Sequence, residues 1–228
     1  MKNYKIRKDL SIEFHGHTLY RIEYVNKFCD DVDIGDIGGF IEAERNLSDN
    51  AIVRDNAIVC GDAIVCDNAW VCGDAIVCDN TIVRDNAVVR DNAIVCGDAI
   101  VCDNTIVRDN AVVCDNTIVR DNAVVRDKAW VRDKAWIRDN ALVCDNAIVR
   151  DNAVVRDRAW VRDKAWIRDN ALVCDNAVIS GVAIVYENAI VKGNAKVYEY
   201  AEVGGSVIAC ADAVIGGEAK LSGKGMAE

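Results

Sequence analysis

Proline is absent from this chain of 228 residues, which has only 15 glycines. These two features exclude a collagen-like helix and a proline-rich linker architecture. No apolar run is long enough to span a bilayer, and the first residues lack the apolar segment of a secretory signal. Histidine occurs only twice. We therefore expect a cytoplasmic protein without a membrane partner.

Apolar residues, by contrast, make up 52% of the chain, which excludes a disordered polymer. A six-residue period runs from Leu47 to Leu221 without insertion or deletion. Written as V-R-D-N-A-I, its first position is Leu, Ile or Val in 29 of 30 units, the exception being Ala209. Its fifth position is Ala in 25 of 29 units. Such regularity indicates a repeat architecture.

Each unit divides into a strand and a corner. The segment A-I-V-R suits a strand, whereas D-N or G-D is typical of a turn. Because alternate side chains of a strand face opposite sides, Val and Ala share one face and Ile and Arg share the other. A lone Arg is too costly to bury, so the Val and Ala face is predicted to be inside. Asn at the fourth position is predicted to adopt the left-handed backbone at each corner.

This pattern resembles the hexapeptide-repeat left-handed β-helix family, in which an aliphatic residue, three variable residues and a small residue recur. The resemblance implies that three hexads form one triangular coil, so that 30 hexads give about ten coils. General crossover statistics would predict the opposite hand, so the left-handed sense comes from the resemblance alone. We expect an all-β fold, a single-stranded left-handed β-helix or triangular β-solenoid, stabilised by contacts between neighbouring coils.

Three regions are predicted: an N-terminal β cap at 1–46, the β-helix at 47–221 and a polar tail at 222–228. In the cap, YKIRKD, LSIEFHG and HTLYRIEYV alternate like short strands, with a turn near Gly16. The segment Gly38–Ser48 (GGFIEAERNLS), together with TLYRIEYV, resembles the cap of bacterial and prophage hexapeptide-repeat proteins that are often labelled transferases. No covering helix follows the last coil, so that end could stack on another copy.

Ten of the eleven cysteines occupy the second position of a hexad. With three hexads per coil, one column contains a candidate cysteine ladder: Cys60, Cys78, Cys96 and Cys114. Neighbouring Cα atoms would lie about 4.8 Å apart, within the disulfide range. The alternative in a cytoplasmic protein is that reduced thiols serve as small, partly apolar residues. No metal site is predicted, because the repeats contain no His and no tetrahedral cluster is implied.

Two stretches of the repeats differ in net charge and in tryptophan content. Residues 47–118 have 4 basic and 12 acidic residues, net −8, whereas 119–170 have 12 basic and 9 acidic, net +3. The second stretch contains a candidate surface-binding band, namely Trp130, Trp136, Trp160 and Trp166, each preceded two positions earlier by Lys128, Lys134, Arg158 or Lys164. Such a band suits a polyanion or a sugar. The alternative is a solvated lattice of pairs such as Arg132–Asp133, which contribute little individually.

The tryptophan-bearing coils contain an internal duplication that continues to residue 180. Residues 121–150 recur almost unchanged at 151–180, an offset of five hexads. Because five hexads are not a whole number of three-hexad coils, Trp136 and Trp166 are predicted to lie on different faces. This argues against a site tuned on one face.

The sequence favours a non-enzymatic structural or interaction rod that self-associates as a trimer or by end-to-end or lateral stacking. The sixth position is apolar almost throughout, and monomers rarely expose contiguous apolar surface on that scale. Partial cover by Arg stems is the alternative. The family resemblance also implies an acyltransferase-like trimer, but its members use a His base. Here His15 and His17 both lie in the cap, where a hairpin turn is the simpler interpretation than a metal or acid–base pair.

An ice- or surface-binding protein is a lesser alternative. Outward threonine ladders would indicate it, whereas Thr81, Thr105 and Thr117 are predicted to point inward. DNA mimicry would rest on net charge alone. No catalytic residue, cofactor or metal is predicted. The sequence argues against a nucleic-acid partner and does not define a small-molecule substrate.

Overall fold

A computed structural model describes residues 2–48 and 50–228, so Met1 of the predicted cap and Asp49 of the first hexad lie outside the described residues. Within them the chain forms strands and one 3-10 turn, Glu44–Asn46. Each strand of the repeats pairs in parallel with the strands three hexads before and after it, as Ile76 does with Ile58 and Ile94. The structure confirms the predicted β-solenoid of about ten coils, each of three hexads.

The strands, numbered β1 to β33 in chain order, form three sheets that are the faces of the rod. Face 1 contains β1 (Tyr4–Phe14), β2 (His17–Tyr24), β3 (Ile37–Ile41), β5 (Ile58–Val59), β8 (Ile76–Val77), β11 (Ile94–Val95), β14 (Val112–Val113), β17 (Trp130–Val131), β20 (Ile148–Val149), β23 (Trp166–Ile167), β26 (Ile184–Val185), β29 (Glu202–Val203) and β32 (Lys220–Leu221).

Face 2 contains β4 (Ile52–Val53), β7 (Trp70–Val71), β10 (Val88–Val89), β13 (Ile106–Val107), β16 (Val124–Val125), β19 (Leu142–Val143), β22 (Trp160–Val161), β25 (Val178–Ile179), β28 (Lys196–Val197) and β31 (Val214–Ile215). Face 3 contains β6 (Ile64–Val65), β9 (Ile82–Val83), β12 (Ile100–Val101), β15 (Ile118–Val119), β18 (Trp136–Ile137), β21 (Val154–Val155), β24 (Leu172–Val173), β27 (Ile190–Val191), β30 (Ser206–Ala209) and β33 (Lys224–Ala227).

The interior is a column of small and branched apolar side chains. The Val and Ala positions, such as Val107 and Ala111, are fully buried along the rod. Ile and Arg at the alternate positions face outward and are mostly half-buried. The inward direction predicted for Thr81, Thr105 and Thr117 is also confirmed, because all three are completely buried.

The corners differ from the prediction. Asp at the third position, not Asn at the fourth, has the left-handed backbone, with φ near 60° at Asp55 and 62° at Asp103. Its carboxylate accepts the N–H of the equivalent residue on the next coil, as Asp103 does from Asp121 at 3.2 Å. The fourth-position amides stack instead, Asn104 donating to Asn122 at 3.4 Å. Asp therefore satisfies a corner N–H that the sheet leaves unpaired.

The cap is a hairpin joined to face 1. The sequence predicts two short strands before Gly16, but the structure has one long strand, β1, with an irregularity between Arg7 and Ser11. The turn contains His15 and Gly16, with φ of 47° and 87°, which confirms the hairpin interpretation. From there β2 pairs with β3, and β3 continues in parallel onto β5.

Polar side chains of the cap complete the first coil. The Tyr24 hydroxyl donates to the Val53 carbonyl and accepts from the Val53 N–H, both at 3.0 Å. The Asn46 amide, fully buried, donates to the Ala63 carbonyl at 2.9 Å. These bonds replace the coil that is missing above β4 and β6, whose edges would otherwise carry unpaired groups.

At the other end the solenoid continues beyond the predicted boundary at residue 221. The supposed tail, 222–228, contributes β33, which pairs in parallel with β30. Lys224 and Met226 remain exposed on this last coil. Nowhere in the described residues is there a helix with the length and apolarity to cross a membrane.

Candidate interaction surfaces

The four tryptophans of the predicted band do not share one surface. Trp130 and Trp166 lie on face 1, Trp160 on face 2 and Trp136 on face 3. Trp136 and Trp166 are thus on different faces, as their spacing indicates. All four are 41 to 50% exposed, so each offers a large apolar area to solvent. The structure brings only Trp130 and Trp166 together.

Trp130 and Trp166 form one column with Ile148 between them, because β20 pairs with both β17 and β23. The second-position column beside them contains Arg132, Arg150 and Arg168. We call these six residues the tryptophan–arginine patch. Sequence reasoning missed it, although the two tryptophans are six hexads apart, which is two full coils.

The arginines of the patch are held in place by neighbouring groups. Arg168 pairs with Asp169 at 2.7 Å and its guanidinium lies 4.7 Å from the Tyr186 ring centre. The Arg150–Asp151 distance is 3.5 Å and the Arg132–Asp133 distance 3.8 Å. The predicted Arg–Asp lattice is therefore present, and its side chains remain partly exposed.

The cations that precede the tryptophans lie at corners rather than on the faces. Lys128 is in a groove with Asp109, Asp127 and Asp145. Lys134 is in an equivalent groove with Asp115, Asp133 and Asp151, and Arg158 and Lys164 hold the same hexad position. Carboxylates surround Lys128 and Lys134, which favours local charge balance at these two corners.

The cysteine ladder also lies on face 1, in coils nearer the cap. Its column begins with Glu42, passes through Cys60, Cys78, Cys96 and Cys114, and ends at Arg132. All four thiols are free, and Cys60 is only 3% exposed. Sequence reasoning found the four cysteines but missed Glu42, which precedes the repeat yet lies one coil length before Cys60.

The ladder thiols are neighbours in one column, and Cys78 and Cys114 donate to the carboxylates of Asp79 and Asp115 at 3.5 and 3.4 Å. Contacts with Cys114 and Cys78 lower the pKa of Cys96 below that of an ordinary thiol. Contacts with Cys60 and Cys96, together with burial, raise the pKa of Cys78, and the contact with Cys96, together with burial, raises the pKa of Cys114. A thiolate is therefore favoured at Cys96 over Cys78 and Cys114.

The cap closes the upper end of the ladder. His17 Nδ1 lies 3.0 Å from Glu42 Oε2, and this oxygen also accepts the Gly61 N–H at 2.7 Å. The hydrogen bond from His17 to Glu42 raises the pKa of His17. Cys60 is packed against Leu19 and Phe40, so its thiol is shielded from solvent. Cys60, the ladder thiol nearest the cap, is thus buried, whereas Cys78, Cys96 and Cys114 are partly exposed.

Three other cysteines, in the same hexad position as the ladder, each lie beside two carboxylates: Cys102 with Asp85 and Asp103, Cys144 with Asp127 and Asp145, and Cys174 with Asp157 and Asp175. Their ligand atoms are within 4.8 Å of one another, a grouping that the sequence analysis does not predict. The donors already have partners, since Cys102 and Cys144 each donate to the following Asp at 3.2 Å. Burial raises the pKa of both thiols to about 12.

Two further open grooves lie on face 2 and beside the cap. One, of about 560 Å³, lies on face 2 and brings Trp160 together with Arg162, Lys196 and Tyr198. The other, of about 500 Å³, lies between the cap and the first coil beside Arg21 and Asp36. Both are open clefts rather than enclosed cavities, and neither contains residues of the ladder.

A comparison with protein-family models found no match, and a comparison with curated proteins found none either. The architecture therefore rests on the period and on the structure.

Proposed function

We propose that this protein is a non-enzymatic interaction rod that self-associates side by side through the tryptophan–arginine patch. We also place it among the bacterial and prophage hexapeptide-repeat β-helix proteins, on the strength of its hexads and its GGFIE cap. Under this proposal the rod works in the cytoplasm as an assembling scaffold.

The observation that carries the proposal is the placing of Trp130 and Trp166 on one flat face. They are 49 and 41% exposed and have Arg132, Arg150 and Arg168 alongside. Tryptophan and arginine are the residues most enriched among those that dominate binding energy at protein interfaces. The backbone beneath them is fixed by parallel pairing on both sides, so little conformational entropy is lost on association.

Charge indicates a second copy of the chain as the partner. The patch lies within residues 119–170, which have a net charge of +3, whereas coils 47–118 have a net charge of −8. Two rods that pack side by side with an offset or in opposite directions bring these stretches together. Opposite potentials steer such an encounter and fix its register.

The regular shape also supports a scaffold. From β4 to β29 each two-residue strand is separated from the next by a corner of four residues, and backbone bonds repeat at about 2.9 to 3.0 Å along each face. Each added coil extends the rod without altering the surface already present.

The test compares two double variants with equal loss of tryptophan. Trp130→Ala/Trp166→Ala removes the shared column, and Trp136→Ala/Trp160→Ala removes one exposed ring from each of the other faces. Fluorescence anisotropy of a labelled copy, titrated with unlabelled chain, measures association. We expect the first variant to bind at least tenfold more weakly and the control to stay within twofold of the unmodified chain.

Equal weakening in both variants, or no association of the unmodified chain, would contradict the proposal. Calorimetry with acetyl-CoA provides a second arm. Saturable heat of binding would instead favour the acyltransferase-like alternative, whereas its absence at high concentration agrees with a non-enzymatic rod.

A further inference from the structure

The ladder thiols differ from the other cysteines of the repeats in having cysteine neighbours. Cys60, Cys78, Cys96 and Cys114 follow one another at intervals of three hexads, so each lies one coil from the next. Cys72, by contrast, stands between Arg54 and Arg90 in its column, and Cys144 between Arg126 and Arg162. The chain thus contains both a connected set of thiols and isolated thiols in the same hexad position.

The backbone holds the ladder residues in register. Ile76 pairs with Ile58 on one side and Ile94 on the other, and Ile94 pairs with Val112. The N–H groups of Cys60, Cys78 and Cys96 each donate to the carbonyl on the next coil at 3.0 Å. Neighbouring strands of a sheet are about 4.8 Å apart. Disulfides join Cα atoms separated by roughly 4.4 to 6.8 Å, so the Cα spacing of adjacent ladder cysteines falls within this range.

We propose that the ladder is a thiol–disulfide exchange site that reacts with low-molecular-weight disulfides and closes into two cross-coil disulfides, Cys60–Cys78 and Cys96–Cys114. The proposal does not depend on self-association, because it concerns thiols of one chain.

The reaction uses one small disulfide for each pair. A ladder thiolate attacks one sulfur of the small disulfide, which forms a mixed disulfide and releases the first small thiolate. The neighbouring ladder thiol loses its proton and attacks the protein sulfur of the mixed disulfide, which releases the second small thiolate. Two protein thiols are oxidised, one small disulfide is reduced to two thiols, and the protons end on those thiols.

The surroundings indicate where the reaction begins. Cys96 is partly exposed, lies between two ladder thiols one coil away on either side, and has a lowered pKa, so its thiolate is accessible to a small disulfide. Cys60 is 3% exposed beneath Leu19 and Phe40 and is suited to the second step, in which it attacks a mixed disulfide at Cys78. Ile58, Ile76, Ile94 and Val112 flank the column on the strand side, and the carboxylates of Asp79 and Asp115 lie on the corner side, where they accept from Cys78 and Cys114.

The predicted disulfide pairing follows from the number and order of the ladder cysteines. If Cys78 pairs with Cys96, then Cys60 and Cys114 are left three coils apart and cannot be joined. Only Cys60–Cys78 with Cys96–Cys114 uses all four thiols. The fully oxidised ladder therefore has two disulfides, each joining adjacent coils of face 1.

The experiment treats the full, reduced chain with oxidised glutathione under native conditions at low protein concentration. Remaining thiols are then alkylated after denaturation and counted by intact mass, with disulfide mapping by fragmentation. We expect four of the eleven thiols to be lost. Cys78→Ser should lose two, since Cys96 and Cys114 can still pair. The matched control Cys144→Ser should again lose four.

Three outcomes would overturn the proposal. Retention of all eleven thiols would show that the ladder thiols do not react with oxidised glutathione. Stable glutathione adducts without protein disulfides would show that the neighbouring ladder thiol does not attack the mixed disulfide. Equal thiol loss in Cys78→Ser and the unmodified chain would place the disulfides elsewhere. The first two outcomes are measured on the unmodified chain, so the proposal can be tested even if a variant fails to fold.

Discussion

At the scale of single residues, the corner Asp combines two properties, which Glu187 and Glu199 share at two later corners. It tolerates a positive φ, and its carboxylate accepts the N–H of the next coil, as Asp103 does from Asp121. Hydrogen bonds from the Asp121 backbone and the Cys102 thiol lower the pKa of Asp103. Its charge therefore contributes to stability.

This lowered pKa gives a pH prediction. Because the folded pKa of Asp103 lies below the unfolded one, its contribution is fully present above the unfolded pKa and is lost as pH falls through the folded pKa. Asp103→Asn should lower the free energy of unfolding at pH 7, and the difference from the unmodified chain should shrink at pH 3. Urea unfolding at both pH values measures it.

The control for that prediction is Asp62→Asn, which alters a largely exposed carboxylate that pairs with Arg45 at 3.3 Å. Exposed ion pairs contribute little, so a change near zero is expected at both pH values. A pH-independent effect of Asp103→Asn would contradict the account.

The buried threonines provide a second residue-scale prediction. The Thr81 hydroxyl donates to the Cys78 carbonyl at 2.7 Å, whereas the Thr105 hydroxyl is buried without a partner among the described residues. Replacement by Val keeps the volume and removes the hydroxyl. Thr105→Val should raise the free energy of unfolding by about 1 kcal/mol, and Thr81→Val should lower it by about 1 kcal/mol. Urea denaturation compares them, and shifts of the same sign would be inconsistent with these contacts.

At the scale of elements, the cap hairpin acts as a substitute for a coil. A solenoid must end somewhere, and its first strands then lack partners on one side. Here β3 supplies a parallel partner for β5. On the other two faces, Tyr24 of β2 and Asn46 of the 3-10 turn form hydrogen bonds to the backbone of the first coil. The cap thus stabilises the edge by hydrogen bonds as well as by apolar contact.

Tyr24→Phe tests this capping. The change leaves both the N–H and the carbonyl of Val53 unpaired in a buried position, so the free energy of unfolding should fall by about 2–3 kcal/mol. Tyr20→Phe is the matched control, since Tyr20 is half-buried in the same strand and no hydrogen bond to its hydroxyl is found among the described residues. Chemical denaturation measures both, and equal effects would argue against capping by the Tyr24 hydroxyl.

The period was enough to predict the faces, the core and the cysteine column, because each depends on spacing alone. It could not assign the left-handed backbone to Asp55 rather than Asn56, since both residue types tolerate that conformation and the deciding N–H lies on the next coil, at Gly73. The patch of Trp130 and Trp166 needed a comparison over two coils. Glu42 lies outside the repeat, and its place one coil before Cys60 depends on the parallel pairing of β3 with β5, which the cap sequence does not specify.

At the scale of the whole molecule, stability is a sum over neighbouring coils rather than over one shared core. Damage at one coil should therefore stay local. Val83→Asp places a carboxylate in the dry interior, where it has no partner. We expect faster hydrogen exchange in residues 65–101 and little change in 185–203, measured by mass spectrometry.

Ile82→Asp, on the outer side of the same strand, is the control and should alter exchange much less, because residue 82 faces outward and is half-buried. Loss of protection along the entire rod in Val83→Asp would contradict nearest-neighbour stability and indicate one cooperative unit.

The most direct test of the central claim is sedimentation velocity of the full chain over a wide range of concentration, at low and high salt, with reductant present. The account predicts a sedimentation coefficient that rises with concentration and falls again at high salt, because side-by-side rods join an acidic stretch to a basic one. Negative-stain images should show paired rods about 45 Å long. A single monomeric species at every concentration and salt would contradict self-association through the tryptophan–arginine patch.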